Sequence, residues 1–139
     1  MPHIHEEIEI QASPDEIWPV AGNPGRIADW VPALSSSHAE GSARECTMVN
    51  GAELKERILE HSDAQRSYSY EIVEAPVPLR SYRSRLSVHG HDGHTHVVWE
   101  AEFEPGEPEQ EAELTETFKR TYREGLESLR ERFEAGSAA

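Results

Sequence analysis

Hydrophobic and polar positions alternate over His3–Gln11, with Ile4, Ile8 and Ile10 at even positions and mostly polar residues at odd ones. A period of two predicts a strand buried on one face. At Ser13-Pro14-Asp15-Glu16 the pattern changes. Ser13 can cap a helix, Pro14 suits its first position, and the two acids favour its positive end. Ile17, Trp18 and Val20 give this helix something to bury, and Gly22-Asn23-Pro24-Gly25 stops it. A second short helix is predicted over 26–30.

From Leu34 to Phe103 the chain reads as strands and turns. Glu40-Gly41-Ser42 and Asn50-Gly51 are turn signals, the second a hairpin dipeptide. Strands are predicted over 53–61, 66–73, 81–89 and 95–103, with Ala75-Pro76-Val77-Pro78 as a stiff connection. The last two form a hairpin whose register can be derived. A type I′ turn at Asp92-Gly93 pairs His91 with His94, His89 with His96 and Val88 with Val97. It also pairs Leu86 with Trp99, Ser84 with Ala101 and Tyr82 with Phe103. The other face then sets Arg85 against Glu100 and Arg83 against Glu102, which are favourable pairs. A three-residue loop would slip the register and turn Glu100 inward in place of Trp99.

After Glu104–Pro108 the period becomes helical: Leu114, Phe118, Tyr122, Gly125 or Leu126, Leu129 and Phe133 fall on one stripe. Glutamates gather early in this helix and arginines late, as the helix dipole favours; the acidic first turns read as a solvated face. The order is strand, two short helices, about six strands and one long helix. That is an α+β fold, an antiparallel sheet with helices on one side. A length of 139 residues fits one domain, expected over 1–134, with 135–139 as a disordered tail.

Charge narrows the function. The chain has 27 acidic residues against 13 Lys and Arg, a net charge of −14. Nucleic-acid backbones and anionic membranes attract basic surfaces, so neither is an expected partner. No apolar run is long enough to span a bilayer, so no membrane insertion is expected. The N-terminal residues lack the basic and apolar regions of a secretory leader, and a cytoplasmic location is expected. The single cysteine, Cys46, excludes an intramolecular disulfide and any multi-cysteine metal site. Without a partner motif it reads as packing rather than a reactive thiol.

Candidate chemistry follows from strand parity. Tyr82, Ser84, Leu86, Trp99, Ala101 and Phe103 share the inward face of the hairpin. Tyr68, Tyr70 and Ile72 share a face of the preceding strand, and Leu54, Glu56 and Ile58 of the one before. Three inward tyrosines need hydroxyl partners or a polar ligand. The group is either plain core or the wall of a cavity. Glu56 is the sharpest residue, because a buried carboxylate is costly unless paired. It either lines a cavity, sits solvated at the mouth, or pairs with Arg44 or a tyrosine hydroxyl. His89, His91, His94 and His96 cluster on the hairpin, where cross-strand pairs could chelate Zn²⁺ or Ni²⁺. They lack the supporting shell of a true site, and no metal is expected. Ser35-Ser36-Ser37-His38 lacks the elbow and third group of a nucleophile.

Several segments resemble a known superfamily. Ala12-Ser13-Pro14-Asp15-Glu16-Ile17-Trp18 looks like its opening strand-to-helix motif, and Asp29-Trp30-Val31-Pro32 like the step after its second helix. Glu56-Arg57-Ile58-Leu59 and Tyr68-Ser69-Tyr70-Glu71-Ile72 resemble two of its strands. The superfamily is the Bet v 1/START-like helix-grip group (SRPBCC), and the branch is the bacterial polyketide cyclase/dehydrase-like one. Leu79, Tyr82 and Ser84 also look like positions of the plant abscisic acid receptors, in which the Glu matching Glu56 lies in the ligand pocket. The resemblance implies a curved sheet wrapped around the long C-terminal helix over a hydrophobic cavity. Its implied ligand-binding set is Trp30, Leu54, Glu56, Ile58, Tyr68, Tyr70, Leu79, Tyr82, Ser84, Leu86, Trp99, Phe118 and Tyr122. No cofactor is implied, and the protein is expected as a monomer or homodimer. Two functions stay open. One is a carrier or sensor of a small hydrophobic ligand. The other is a polyketide cyclase, aromatase or dehydratase with Glu56 as the candidate catalytic group.

Overall fold

The computed structural model describes residues 2–137, with backbone alone at His91 and over 135–137. Strand β1 (His3–Ile10) leads into α1 (Pro14–Ala21) and a 3-10 helix (Pro24–Asp29). Strands β2 (Leu34–Glu40), β3 (Ala43–Met48), β4 (Glu53–Ser62), β5 (Ser67–Glu74), β6 (Leu79–His91) and β7 (His94–Pro105) follow. A 3-10 turn (Pro108–Gln110) starts the long helix α2 (Glu111–Ser137). All seven strands form one antiparallel sheet in the order β1-β7-β6-β5-β4-β3-β2. Among the described residues no helix is long and apolar enough to cross a membrane.

Local chemistry explains the elements. Ser13 is the N-cap of α1: its Oγ accepts from the Glu16 amide at 3.2 Å and its hydroxyl donates to Glu16 Oε1 at 3.1 Å. The Ser13 side chain thus satisfies the Glu16 amide, one of the free donors of the first turn. The second short helix differs from expectation in type and start. It is 3-10, begins at Pro24 and is capped by the Asn23 side chain on the Gly25 amide. Pro24 sits at its first position, so the dipeptide that stops α1 also starts this turn.

The β6–β7 hairpin has the two-residue turn and the derived register, from His91 with His94 to Tyr82 with Phe103. Asp92 and Gly93 both have positive φ, 47° and 85°, as a type I′ turn requires. The three-residue alternative is thereby excluded. Trp99 faces inward and Glu100 outward, where it meets His5 Nδ1 at 3.2 Å. Irregularities in β2, twice in β4 and at the start of β6 bend the sheet.

Helix α2 buries Leu114, Tyr122, Leu126 and Leu129 against the sheet, with Phe118 and Phe133 half-buried. At Gly125 the helix passes so near that an added Cβ would lie 3.1 Å from the Trp99 ring and 3.3 Å from Val31. The helical backbone runs on to Ser137, three residues into the predicted tail. Residues 138 and 139 of that tail lie outside the described residues.

Candidate ligand cavity

Between the inner face of the sheet and α2 lies a cavity of about 140 Å³. Its sheet wall comes from Cys46 and Met48 of β3, Leu54 and Glu56 of β4, Tyr70 and Ile72 of β5, Tyr82 of β6 and Trp99 of β7. Helix α2 supplies Leu114, Thr117, Phe118, Thr121 and Tyr122. The β5–β6 connection and the segment after the 3-10 helix add small and aliphatic side chains to the lining. Period-two alternation in the strands and the helical stripe of α2 aim these residues at one space.

Eight of the thirteen expected residues line it: Leu54, Glu56, Tyr70, Leu79, Tyr82, Trp99, Phe118 and Tyr122. Five do not, although all face inward. Trp30 packs on Trp99 with tilted rings, centres 5.3 Å apart. Ser84 is covered by Trp99 and Tyr122, both of which donate to its Oγ at 3.0 Å. Leu86 is fully buried in core, and Ile58 packs against that core without reaching the cavity. Tyr68 is walled off by Arg44, which donates to its hydroxyl at 3.0 Å, and by the stacked ring of His61. The second irregularity of β4, between Ile58 and Glu60, pairs His61 with Tyr68. The cavity thus occupies one end of the predicted groove, and packed aromatics fill the other.

The polar core of the site is a buried ion pair. Arg44 and Glu56 are cross-strand partners on β3 and β4, both pointing inward. Arg44 Nε donates to Glu56 Oε1 at 2.7 Å, with the two side chains 0% and 6% exposed. Its Nη1 donates to the Pro24 carbonyl at 3.2 Å, and its guanidinium lies 4.4 Å over the Tyr70 ring. Its Nη2 is buried without a hydrogen bond. Burial opposes this charge, but the tyrosine oxygens and Glu56 outweigh it and hold the Arg44 pKa well above its usual value. Two of the readings left open for Glu56 are therefore both met: it lines the cavity and it is paired with Arg44.

The other groups stay neutral. Burial, and then the neighbouring Glu56, push the Cys46 thiol up to about 12. Cys46 is 3.5 Å from Glu56 Oε1 and serves as a weak donor to it. Burial likewise raises the Tyr68, Tyr70 and Tyr82 hydroxyls above the ordinary tyrosine value. The sequence offers Arg44 only as one possible partner of Glu56, and its parity misses Thr117 and Thr121 as polar wall. The inward phase of Arg44 with Cys46 on β3 and the α2 stripe beside Phe118 carried those signals.

The remaining candidates fall outside the cavity. His38 is on the surface beside Glu40, and Ser37 donates to the Gly25 carbonyl at 2.7 Å, so this stretch assembles no nucleophile. On the outer face, the histidine cluster weighed as a possible chelate gives a different grouping among the described residues. His94 and His96 of β7 converge with Glu9 of β1, their ligand atoms all within 4.8 Å of one another. His89 instead contacts Ser87 Oγ at 3.0 Å, and the His91 side chain lies outside the described residues.

A curved antiparallel sheet gripping one long helix over an apolar cavity defines a helix-grip, START-like protein. The family described as "Polyketide cyclase / dehydrase and lipid transport" matches residues 1–134, and the chain belongs to it. It is 31% identical to the protein XoxI from Bacillus cereus, over 96% of both chains, with a TM-score of 0.89. An uncharacterized protein from Bacillus thuringiensis is 28% identical, over 95% of this chain and 98% of that one, with a TM-score of 0.87. The Zhui aromatase/cyclase from Streptomyces shares the fold at a TM-score of 0.81 and 18% identity, over 96% and 93% of the two chains. No curated protein matches the sequence.

Proposed function

We propose that this protein binds a small, largely apolar molecule in the cavity between sheet and α2, as a carrier or sensor. One observation carries the reading: an apolar space between sheet and helix, with a single carboxylate in its wall already paired with a buried arginine. Such pockets combine apolar area with a few orienting polar groups. A cyclase needs an acid and a base converging on one substrate carbon. Among the described residues the wall holds Glu56 and no histidine or second carboxylate. A single-domain cytoplasmic protein, monomeric or a homodimer, completes this reading, and the net charge of −14 argues against a nucleic-acid partner for it.

Native mass spectrometry of protein purified from its own host tests this, with a retained small molecule expected. Glu56→Gln separates the two functions. In a binding protein it weakens the ligand about tenfold, or roughly 1.4 kcal/mol. In an enzyme it would cost about 10²–10⁴ in turnover of a polyketide-like substrate while binding survived. The second result would overturn the carrier reading.

A further inference from the structure

We infer that the cavity selects a neutral, single-ring molecule carrying a hydroxyl donor, such as a phenol, whose O–H bonds to Glu56, and that it rejects carboxylates. This rests on the binding reading above and adds the chemical class of the ligand.

Charge is the first argument. Among the described residues, Glu56 is the one wall residue whose side chain is ordinarily ionised at neutral pH. An anionic ligand would leave water to face this carboxylate with no cation in the wall to receive it. Arg44 does not serve, because it is not part of the wall: its side chain is 0% exposed, its Nε and Nη1 are bonded to Glu56, Pro24 and Tyr68, and its one unbonded nitrogen, Nη2, is itself buried. A cationic ligand fares no better. Arg44 already balances Glu56 at 2.7 Å, so a second cation would be desolvated into a site with no charge left to meet it.

Hydrogen-bond capacity is the second. An ionised carboxylate only accepts. Both bonds that Glu56 accepts, from Arg44 Nε and Cys46 Sγ, fall on Oε1. The ligand atom that meets the other oxygen must therefore be a donor. A bond to a charged acceptor is among the stronger ones available in a protein.

Size is the third. The space of about 140 Å³ is close to the roughly 150 Å³ that admits a benzene ring. It fits one ring and is far too small for a folded polyketide chain.

The test is calorimetry with four probes of matched shape: 4-methylphenol, p-xylene, 4-methylbenzaldehyde and 4-methylbenzoate. The first two differ by a hydroxyl in place of a methyl. On the unmodified protein 4-methylphenol is expected to bind about tenfold more tightly than p-xylene, and 4-methylbenzoate not measurably. Glu56→Gln adds an inversion. The Gln carbonyl takes over the bond from Arg44 Nε, which turns its NH₂ to the cavity. The preference for 4-methylphenol is then lost and 4-methylbenzaldehyde, which only accepts, gains. If p-xylene or 4-methylbenzoate binds the unmodified protein as tightly as 4-methylphenol, the donor rule is overturned while cavity binding stands. If none of the four binds, the cavity reading itself fails. The comparison on the unmodified protein decides the matter even if the variant does not fold.

Discussion

Arg44 Nε donates to Glu56 Oε1 across 2.7 Å at a place where neither side chain reaches bulk water. Removing one partner leaves the other charged and buried. Arg44→Met is therefore expected to destabilise the fold by about 3–5 kcal/mol. Replacing both, as Arg44→Met with Glu56→Leu, should recover most of that loss, because well-packed apolar pairs are often neutral substitutes. Urea unfolding of the three proteins measures it. A single variant as stable as the parent would mean the pair is not held in this geometry.

Ser84 joins α2 to the sheet. It accepts from Trp99 Nε1 and from the Tyr122 hydroxyl, and donates to the Glu100 carbonyl. Trp99 and Tyr122 stack with ring centres 3.9 Å apart above it. Ser84→Ala strands the Tyr122 hydroxyl in the core, at a cost of about 1–3 kcal/mol. Tyr122→Phe in the same background should restore part of it, since the orphaned donor is gone. A thermal-melting cycle of the two changes reads the coupling.

Phe118 lies on the gripped face of α2, 5.1 Å from the rings of both Tyr82 and Phe103. Phe118→Asp sets an unpaired carboxylate against them, which costs several kcal/mol, on the order of the whole stability. The expected result is a molten or unfolded chain by near-ultraviolet circular dichroism. An unchanged melting temperature would contradict the packing of α2.

Alkali should weaken the fold. Burial raises the folded-state pKa of Cys46 from 9.0 to about 12, and raises those of Tyr68, Tyr70 and Tyr82 as well. The unfolded chain then releases protons that the folded one still holds, so stability falls with rising pH. For Cys46 the contribution is whole below about pH 9 and is lost towards pH 12. Urea midpoints at pH 7, 9 and 10.5 should decline in that order above pH 9. Below that window Cys46 should react with a thiol reagent only as fast as the protein opens. Rapid labelling of the native protein at pH 8 would refute the burial.

The Glu9, His94 and His96 grouping sits on the outer face, where its side chains are 47%, 20% and 39% exposed. Weak binding of Zn²⁺ is expected there, because water competes for each ligand. His94→Ala with His96→Ala should leave melting temperature and cavity binding unchanged. Stoichiometric zinc surviving dialysis would overturn this and make the grouping a true metal site.

The sequence by itself determined the order of the elements and the hairpin register. Both follow from local quantities: the period of the apolar positions, the capping chemistry of Ser13 and the positive φ that Asp92-Gly93 accepts. Parity also determined that Glu56 points inward. It did not determine which inward residues meet empty space. Tyr70 and Tyr82 line the cavity, whereas Tyr68, Ser84 and Leu86, equally inward, are packed over. That depends on how closely α2 approaches each strand, on the irregularities of β4 that pair His61 with Tyr68, and on the 3-10 segment whose Pro24 carbonyl fixes Arg44. Likewise Glu9 reaches His94 and His96 only because β1 pairs with β7 across the whole length of the chain. Such separations and approaches are set by contacts distant in sequence, and no local period encodes them.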